Sequence, residues 1–321
     1  SGHVWLLVFA IVMIGGATLV FRRRNISTQR VLIPALGRKR AKRMRAVKPR
    51  TVRLLQSVFG KTLWDRRRTV WYWGFGLAAL TLFTFAAWPA ISEDSAALEG
   101  LIESFPKEVL ALFGLTNPES MLTAEGMVSS RTYISVGPIA MIVFAITAMT
   151  SFVAREEASG TLDLGLSTPR TRYSVLWEKA MATATLIGVI VTILLVVALF
   201  GNVQWDTGMN LYHIVAANIG LGLLGLCFWG IAIALWALFG SSGPAIGATA
   251  AVGVVTYFLN GLGAVVDVLA PFRWLSPFYW YLGDTVPLSK GLTWGYFALA
   301  WIAIIGTTIA LRRFETRDLA V

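Results

Sequence analysis

Charge is scarce in this sequence. Of 321 residues only 14% are Asp, Glu, Lys or Arg, against roughly a quarter in a water-soluble domain. Hydrophobic residues make up 56%. One core cannot hide that much apolar surface from water, which excludes an ordinary soluble domain. A single cysteine, Cys227, excludes a disulfide framework. No G-x-x-x-x-G-K-[ST] run occurs, so the chain has no phosphate cradle of its own. His213 and Cys227 stand alone, whereas a metal site needs several convergent ligands. No nucleophile, base and orienting group form a recognisable set.

What the sequence does have is long apolar runs. Stretches of the length a bilayer requires, about 17 to 25 residues, lie at Val4–Phe21, Val70–Trp88, Tyr133–Val153, Ala180–Phe200, Tyr212–Phe239, Ala245–Val266 and Trp294–Leu311. None contains Asp, Glu, Lys or Arg. Backbone groups in lipid must be satisfied within each segment, so each run is read as a helix. The fold class is all-α, a polytopic transmembrane helical bundle. Ion-coupled carriers keep ionisable groups at membrane depth. Here the spans offer only hydroxyls, Asn218, Asn260 and His213. That argues against secondary transport and suits apolar or amphiphilic cargo driven by an outside energy source.

The net charge of +11 is local. Seventeen of the 28 Lys and Arg lie between Arg22 and Arg68, with Asp65 as the one acid among them. Lys and Arg collect on the cytoplasmic side of a membrane protein. Alternating the spans from a cytoplasmic 22–69 puts 24 basic residues inside. Only Lys107, Arg131, Arg273 and Lys290 fall outside. Asn25-Ile26-Ser27 matches a glycosylation triplet but falls on the inside. Residues 25–50, with Pro34, Gly37 and Pro49 among many charges, read as a basic cytoplasmic linker. Its charge suits anionic lipid headgroups or simple retention inside. Nucleic acid is a poor fit, because the run lacks aromatic interleaving and a recognition fold.

Two spans echo each other. Gly16-Ala17-Thr18-Leu19-Val20-Phe21-Arg22-Arg23 and Gly306-Thr307-Thr308-Ile309-Ala310-Leu311-Arg312-Arg313 share Gly, Thr, Arg and Arg at a constant offset of 290. Any two spans that end inside share some of this. The sharper expectation is that 1–24 is the last transmembrane helix of a preceding half, that 25–50 links the halves, and that 51–321 is a six-span domain.

Leu55, Val58, Phe59 and Leu63 then recur at helical spacing, followed by Arg66-Arg67-Arg68 and Trp71, Tyr72 and Trp73. This pattern predicts an interfacial amphipathic helix over 51–66 on the inner leaflet. The three arginines would lie at the membrane surface, and an aromatic anchor would turn the chain into the next span. On the outer side, Ser92-Glu93-Asp94 caps a candidate helix over 92–113. Gly243, Gly247, Ala250 and Ala251 permit close helix approach, either within the bundle or at a two-fold seam with another half.

The cytoplasmic segment after the third span reads Glu156-Glu157-Ala158-Ser159-Gly160-Thr161-Leu162-Asp163-Leu164-Gly165-Leu166-Ser167-Thr168-Pro169. Leu162 and Leu166 suit one face of a short helix that the Pro ends. An apolar face flanked by Glu156, Glu157 and Arg170 is a docking surface with orienting charges. This motif, on this topology, resembles the permease subunits of type-2 ABC transporters. Helix 51–66 matches that family's interfacial elbow helix. Asp267–Thr293, with Pro271, Pro277 and Pro287, sits where the family places short re-entrant helices, and Arg312–Leu319 resembles its cytoplasmic tail.

The resemblance implies a six-span permease unit plus one extra N-terminal span, in a prokaryotic cytoplasmic membrane. It implies an exporter of drugs, antibiotics or lipids. ATP and Mg would be bound by a separate soluble ATP-binding subunit, present in two copies, and a second permease half would be fused or separate. Glu156, Glu157, Gly160, Thr161 and Leu162 would dock on that ATPase. No catalytic, cofactor or metal residue is expected in the chain itself. A non-transporting membrane anchor or sensor is the competing reading. A membrane-embedded enzyme ranks below both, because no catalytic set is visible.

Overall fold

The computed structural model describes residues 57–92, 100, 104–106, 109–110, 122–151, 171–283 and 285–316. The chain divides into two units, Ser1–Arg50 and Thr51–Val321, and every described residue belongs to the second. The expected span Val4–Phe21, the basic linker, Leu55 and the loop containing Glu156 to Leu162 lie outside the described residues.

The described chain forms long helices α1 (Val58–Ser92), α2 (Ala124–Met149), α3 (Arg172–Gln204), α4 (Leu211–Phe239) and α5 (Ser242–Leu262). A short helix α6 (Pro277–Leu282) and a long α7 (Gly295–Thr316) follow. No strand occurs among the described residues. All six long helices are long and apolar enough to cross a membrane. Several overrun the apolar runs of the sequence: α1 has 35 residues, which at 1.5 Å per residue exceeds the roughly 30 Å hydrocarbon core.

Paired contacts fix the directions. Phe59 meets Glu178 and Gly74 meets Ile193, so α1 and α3 run parallel. Tyr133 meets Asn218 and Met141 meets Gly225, so α2 and α4 do too. Tyr296 lies on Gly220 and Ala303 on Gly230, which makes α7 parallel to α4. Arg66 reaches Ser151 while Thr81 meets Thr132, so α1 and α2 are antiparallel. The chain therefore crosses back and forth. Lys61, Arg66, Arg67, Arg68, Lys179, Arg312 and Arg313 gather at one end, the end that the Lys/Arg bias places in the cytoplasm.

Helix α4 is central. Ile214, Leu221, Leu224, Cys227, Phe228, Trp229 and Trp236 are all buried, so it is apolar around its whole circumference. Lipid supplies no hydrophobic drive between helices, so close packing must do the work. At the α4–α7 crossing a side chain on Gly306 would run into the Gly230 carbonyl, and one on Gly230 would meet the Ala303 backbone. Gly240 ends α4 in the left-handed region at φ 73°, donating to the Trp236 carbonyl before the tight turn into α5.

Of the interfacial helix expected over 51–66, residues 51–56 lie outside the described residues. Val58, Phe59 and Leu63 occupy the first turns of α1, which runs on unbroken through Arg66, Arg67, Arg68 and Trp73. Nothing between Lys61 and Trp73 breaks a helix, since that stretch holds no Pro or Gly. Local contacts also fix the segment to its neighbours. The Phe59 N–H donates to Glu178 Oε2 at 2.9 Å, and Gly60 N donates to Ser57 Oγ at 3.0 Å. Arg66 Nη2 donates to the Ser151 carbonyl at 2.6 Å, so Arg66 faces inward. Arg67 and Arg68 are exposed, with Arg67 lying 3.5 Å over the Trp64 ring. The candidate outer helix over 92–113 gives way at its start, because Ser92 is the last residue of α1. Most of the remainder lies outside the described residues.

Candidate functional site

The expected ATPase-docking residues Glu156, Glu157, Gly160, Thr161 and Leu162 fall outside the described residues, but the two ends of their loop are placed. Ser151, at the foot of α2, accepts from Arg66 of α1. Thr171 caps the start of α3, its hydroxyl accepting from Ser174 N at 3.2 Å. Seven residues on, Glu178 accepts from the first turn of α1. A carboxylate there also meets the positive end of the α1 dipole. Both feet of the loop are thus tied to α1.

Within the membrane-spanning part, a cleft of about 340 Å³ separates α2 from α5. Ile139, Ile142, Val143 and Ile146 form one wall, and Ala250, Gly253, Val254 and Tyr257 form the other. Phe278 of α6 adds to the lining. No charged side chain lines it. Its size falls in the range of small-molecule sites, and its lining can hold only an apolar surface. Gly253 keeps the α5 wall back, because a side chain there would crowd Ile142.

Helix α6 bridges the two walls. Ser276 caps its start, accepting from Phe278 N at 3.1 Å, and its own hydroxyl donates to the Thr256 carbonyl of α5 at 2.7 Å. Phe278 packs between Phe228 of α4 (5.8 Å) and Tyr257 of α5 (5.2 Å). One turn on, the Tyr281 hydroxyl donates to the Tyr133 carbonyl of α2 at 2.9 Å. Burial pushes that phenol well above its ordinary range, so Tyr281 stays a neutral donor. Lys290 Nζ donates to the Tyr281 carbonyl at 2.8 Å and also to that of Leu282, closing off the C-terminus of α6.

The acceptor for Tyr281 exists because α2 is locally irregular. Residues Ser129–Val136 form a π-helix. The Gly137 N–H bonds to the Thr132 carbonyl, five residues back. In that spacing the next bond would run from residue 138 to Tyr133, and Pro138 has no N–H to give. The turn widens to take up the proline, as such turns do, and Tyr281 fills the missing donor position.

The same turn makes other bonds. Asn218 Nδ2 of α4 donates to the Tyr133 hydroxyl at 2.9 Å, and Ser129 Oγ accepts from Leu288 N at 3.1 Å. The Thr132 and Thr81 hydroxyls lie 3.2 Å apart. These polar groups thus converge on one turn of α2. Asn218 is visible in the sequence as a polar residue in a span. Tyr133 and Tyr281 are not; the one available signal was Pro138 inside an apolar run.

The proline-rich stretch Asp267–Thr293 holds three short helices, at Ala270–Leu275, Pro277–Leu282 and Pro287–Ser289. Each has its Pro in the first two positions, where a missing N–H costs nothing. Gly243 and Gly247 have open space beside them, so neither packs inside the described bundle.

A family model described as ABC-2 family transporter protein matches residues 56–319, a span that includes every described residue. No curated protein and no solved structure matches the chain. With six membrane-capable helices in alternating directions and a family match over most of its length, the chain belongs to the ABC-2 transporter family, as a multi-pass membrane permease component of an ABC transporter.

Proposed function

We propose that this chain is the permease of an ATP-driven exporter that moves hydrophobic or amphiphilic cargo out through a prokaryotic cytoplasmic membrane. The observation that carries this reading is the α2–α5 cleft: small-molecule sized, apolar and within the span region. A bound cargo there would exchange lipid contacts for side-chain contacts without leaving a charge unpaired. Two copies of a soluble ATP-binding subunit would bind ATP and Mg. They would dock on Glu156, Glu157, Gly160, Thr161 and Leu162. Closure of that pair would pull on a loop whose two feet are tied to α1 through Arg66 and Glu178. A small shift at the loop would then move α1, α2 and α3 together. The exposed edge of α5 would face a second permease half.

The test is reconstitution with the cognate ATP-binding subunit in vesicles loaded with a lipophilic fluorescent dye. Dye movement should require hydrolysable ATP and should stop with a non-hydrolysable analogue. Movement indifferent to nucleotide would sink the exporter reading and favour an anchor or sensor. Charge reversal at Glu156→Lys and Glu157→Lys tests the docking role. Two like-charge contacts in place of two attractive ones should cut dye-stimulated ATPase by about tenfold or more while membrane insertion stays normal. Unchanged ATPase would remove both residues from the interface.

A further inference from the structure

The cytoplasmic end of α1 has two faces, and the outward one carries cations that the fold does not use. At about 100° per residue, Phe59, Arg66 and Val70 fall on one side of the helix. Lys61, Trp64, Arg68, Trp71 and Phe75 fall on the other. The inward side is occupied. The Phe59 N–H donates to Glu178, the Arg66 guanidinium donates to the Ser151 carbonyl, and Val70 is buried. The outward side is open. Lys61, Arg67 and Arg68 are exposed, and none of these three side chains makes a hydrogen bond or ion pair with another described residue. Asp65 is the one acid beside them, and three cations against one acid leave this surface at +2.

Aromatic rings bracket the arginines. Arg67 lies 3.5 Å over the Trp64 ring, which holds the guanidinium by its face and leaves its N–H edge free. Trp71 stacks on Phe75 at 5.2 Å, and both rings are exposed. Going into the membrane, the face therefore reads charge first and ring stack second, and the apolar run begins at Val70. Indole rings settle at the membrane–water interface, which puts Arg67 and Arg68 at headgroup depth. A phospholipid has the same order, an anionic phosphate and then hydrocarbon. Guanidinium groups pair two N–H donors with phosphate oxygens. A soluble anion would use the arginines alone and gain nothing from Trp71 and Phe75.

We propose that this face of α1 binds one anionic phospholipid of the inner leaflet, with Arg67 and Arg68 on the phosphate and Trp71 and Phe75 along the acyl chain. A zwitterionic lipid is the weaker ligand, because its headgroup carries a cation of its own. The helix that holds the lipid also holds both feet of the loop between α2 and α3. A bound anionic lipid fixes the height of α1 at the inner surface and, through Phe59 and Arg66, the position of those feet. The site follows from the order of charge and rings on α1, whereas its use in regulating a partner ATPase rests on the permease reading above.

Two measurements separate these claims. The first places the chain in phosphatidylcholine nanodiscs with a trace of phosphatidylglycerol bearing a photoreactive acyl chain, and maps the crosslink by mass spectrometry. The label should fall between Trp71 and Phe75, and phosphatidylcholine with the same reactive chain should label that stretch weakly. At about fivefold per surface charge, Arg67→Gln with Arg68→Gln should cut the crosslink by about twenty-fivefold at an unchanged melting temperature. Arg312→Gln with Arg313→Gln removes two charges from the same end of the bundle and should leave the crosslink intact. Equal losses in the two double variants would mean a diffuse positive field and overturn the site, as would a label spread evenly over the helices.

The second measurement adds the ATP-binding subunit and reads ATPase in nanodiscs with and without phosphatidylglycerol. The parent should be stimulated several-fold by phosphatidylglycerol and the Arg67→Gln, Arg68→Gln variant should not. A parent indifferent to phosphatidylglycerol overturns the regulatory role. If the chain stimulates no ATPase in any lipid, the permease reading fails, while the crosslink still reports on the lipid site.

Discussion

A proline in the middle of a membrane helix removes one N–H and forces out one carbonyl, and here Pro138 decides where polar side chains collect. The freed acceptor at Tyr133 draws in Tyr281, and the tyrosine ring reaches Asn218. Asn218 also donates to the Ile214 carbonyl at 2.8 Å, which holds its amide in place. Replacing Asn218 by Leu preserves volume but leaves the Tyr133 hydroxyl buried without that partner. Hydrogen bonds between membrane helices contribute about 0.6 kcal/mol on average and rarely more than about 1.7. Asn218→Leu should therefore lower stability by about 1 kcal/mol, read by unfolding in detergent. The same substitution in a Tyr133→Phe background should cost much less, because the pair is already broken. Equal losses in both backgrounds would mean that the two residues do not interact.

At the scale of the element, helix crossings and helix ends behave differently. Crossings depend on volume. Gly306 lies against the Gly230 carbonyl, so Gly306→Leu must push α7 away from α4. Forcing side chains into a packed interior costs about 1–3 kcal/mol. The expected outcome is reduced folded yield and a lower melting temperature, while Thr308→Leu, on an exposed position of the same helix, changes neither. A normal yield for Gly306→Leu would show that the crossing can open.

Which elements were legible follows the same division. The six described spans were readable because a 20-residue apolar run has few alternatives in lipid. The start of α1 was not. An amphipathic face over Val58, Phe59 and Leu63 fits an interfacial helix as well as the foot of a long span. The choice was made by tertiary partners, Glu178 and Ser151, which lie 119 and 85 residues from the groups they bind. Sequence distance hid Tyr281 for the same reason: its acceptor is 148 residues away.

At the scale of the whole molecule, the bundle is packed asymmetrically. Helix α4 is enclosed, whereas only 28% of the α5 membrane window is buried. The exposed side of α5 carries Gly243, Gly247, Ala251 and Val254, in helical register and with nothing packed against the two glycines. Small residues at this spacing let a neighbouring backbone approach closely, and a lipid tail gains little from such a surface. On the exporter reading proposed above, this edge is where a second permease half would sit. A bulky residue there should block the approach without disturbing the bundle, because open space lies beside Gly247. Gly247→Trp should convert a paired permease to the single form in native mass spectrometry from detergent, with its melting temperature close to that of the parent. Val189→Trp, on the lipid-facing side of α3, is the matched control and should leave pairing intact. If Gly247→Trp pairs as the parent does, the second half sits elsewhere, and the open edge of α5 faces lipid alone.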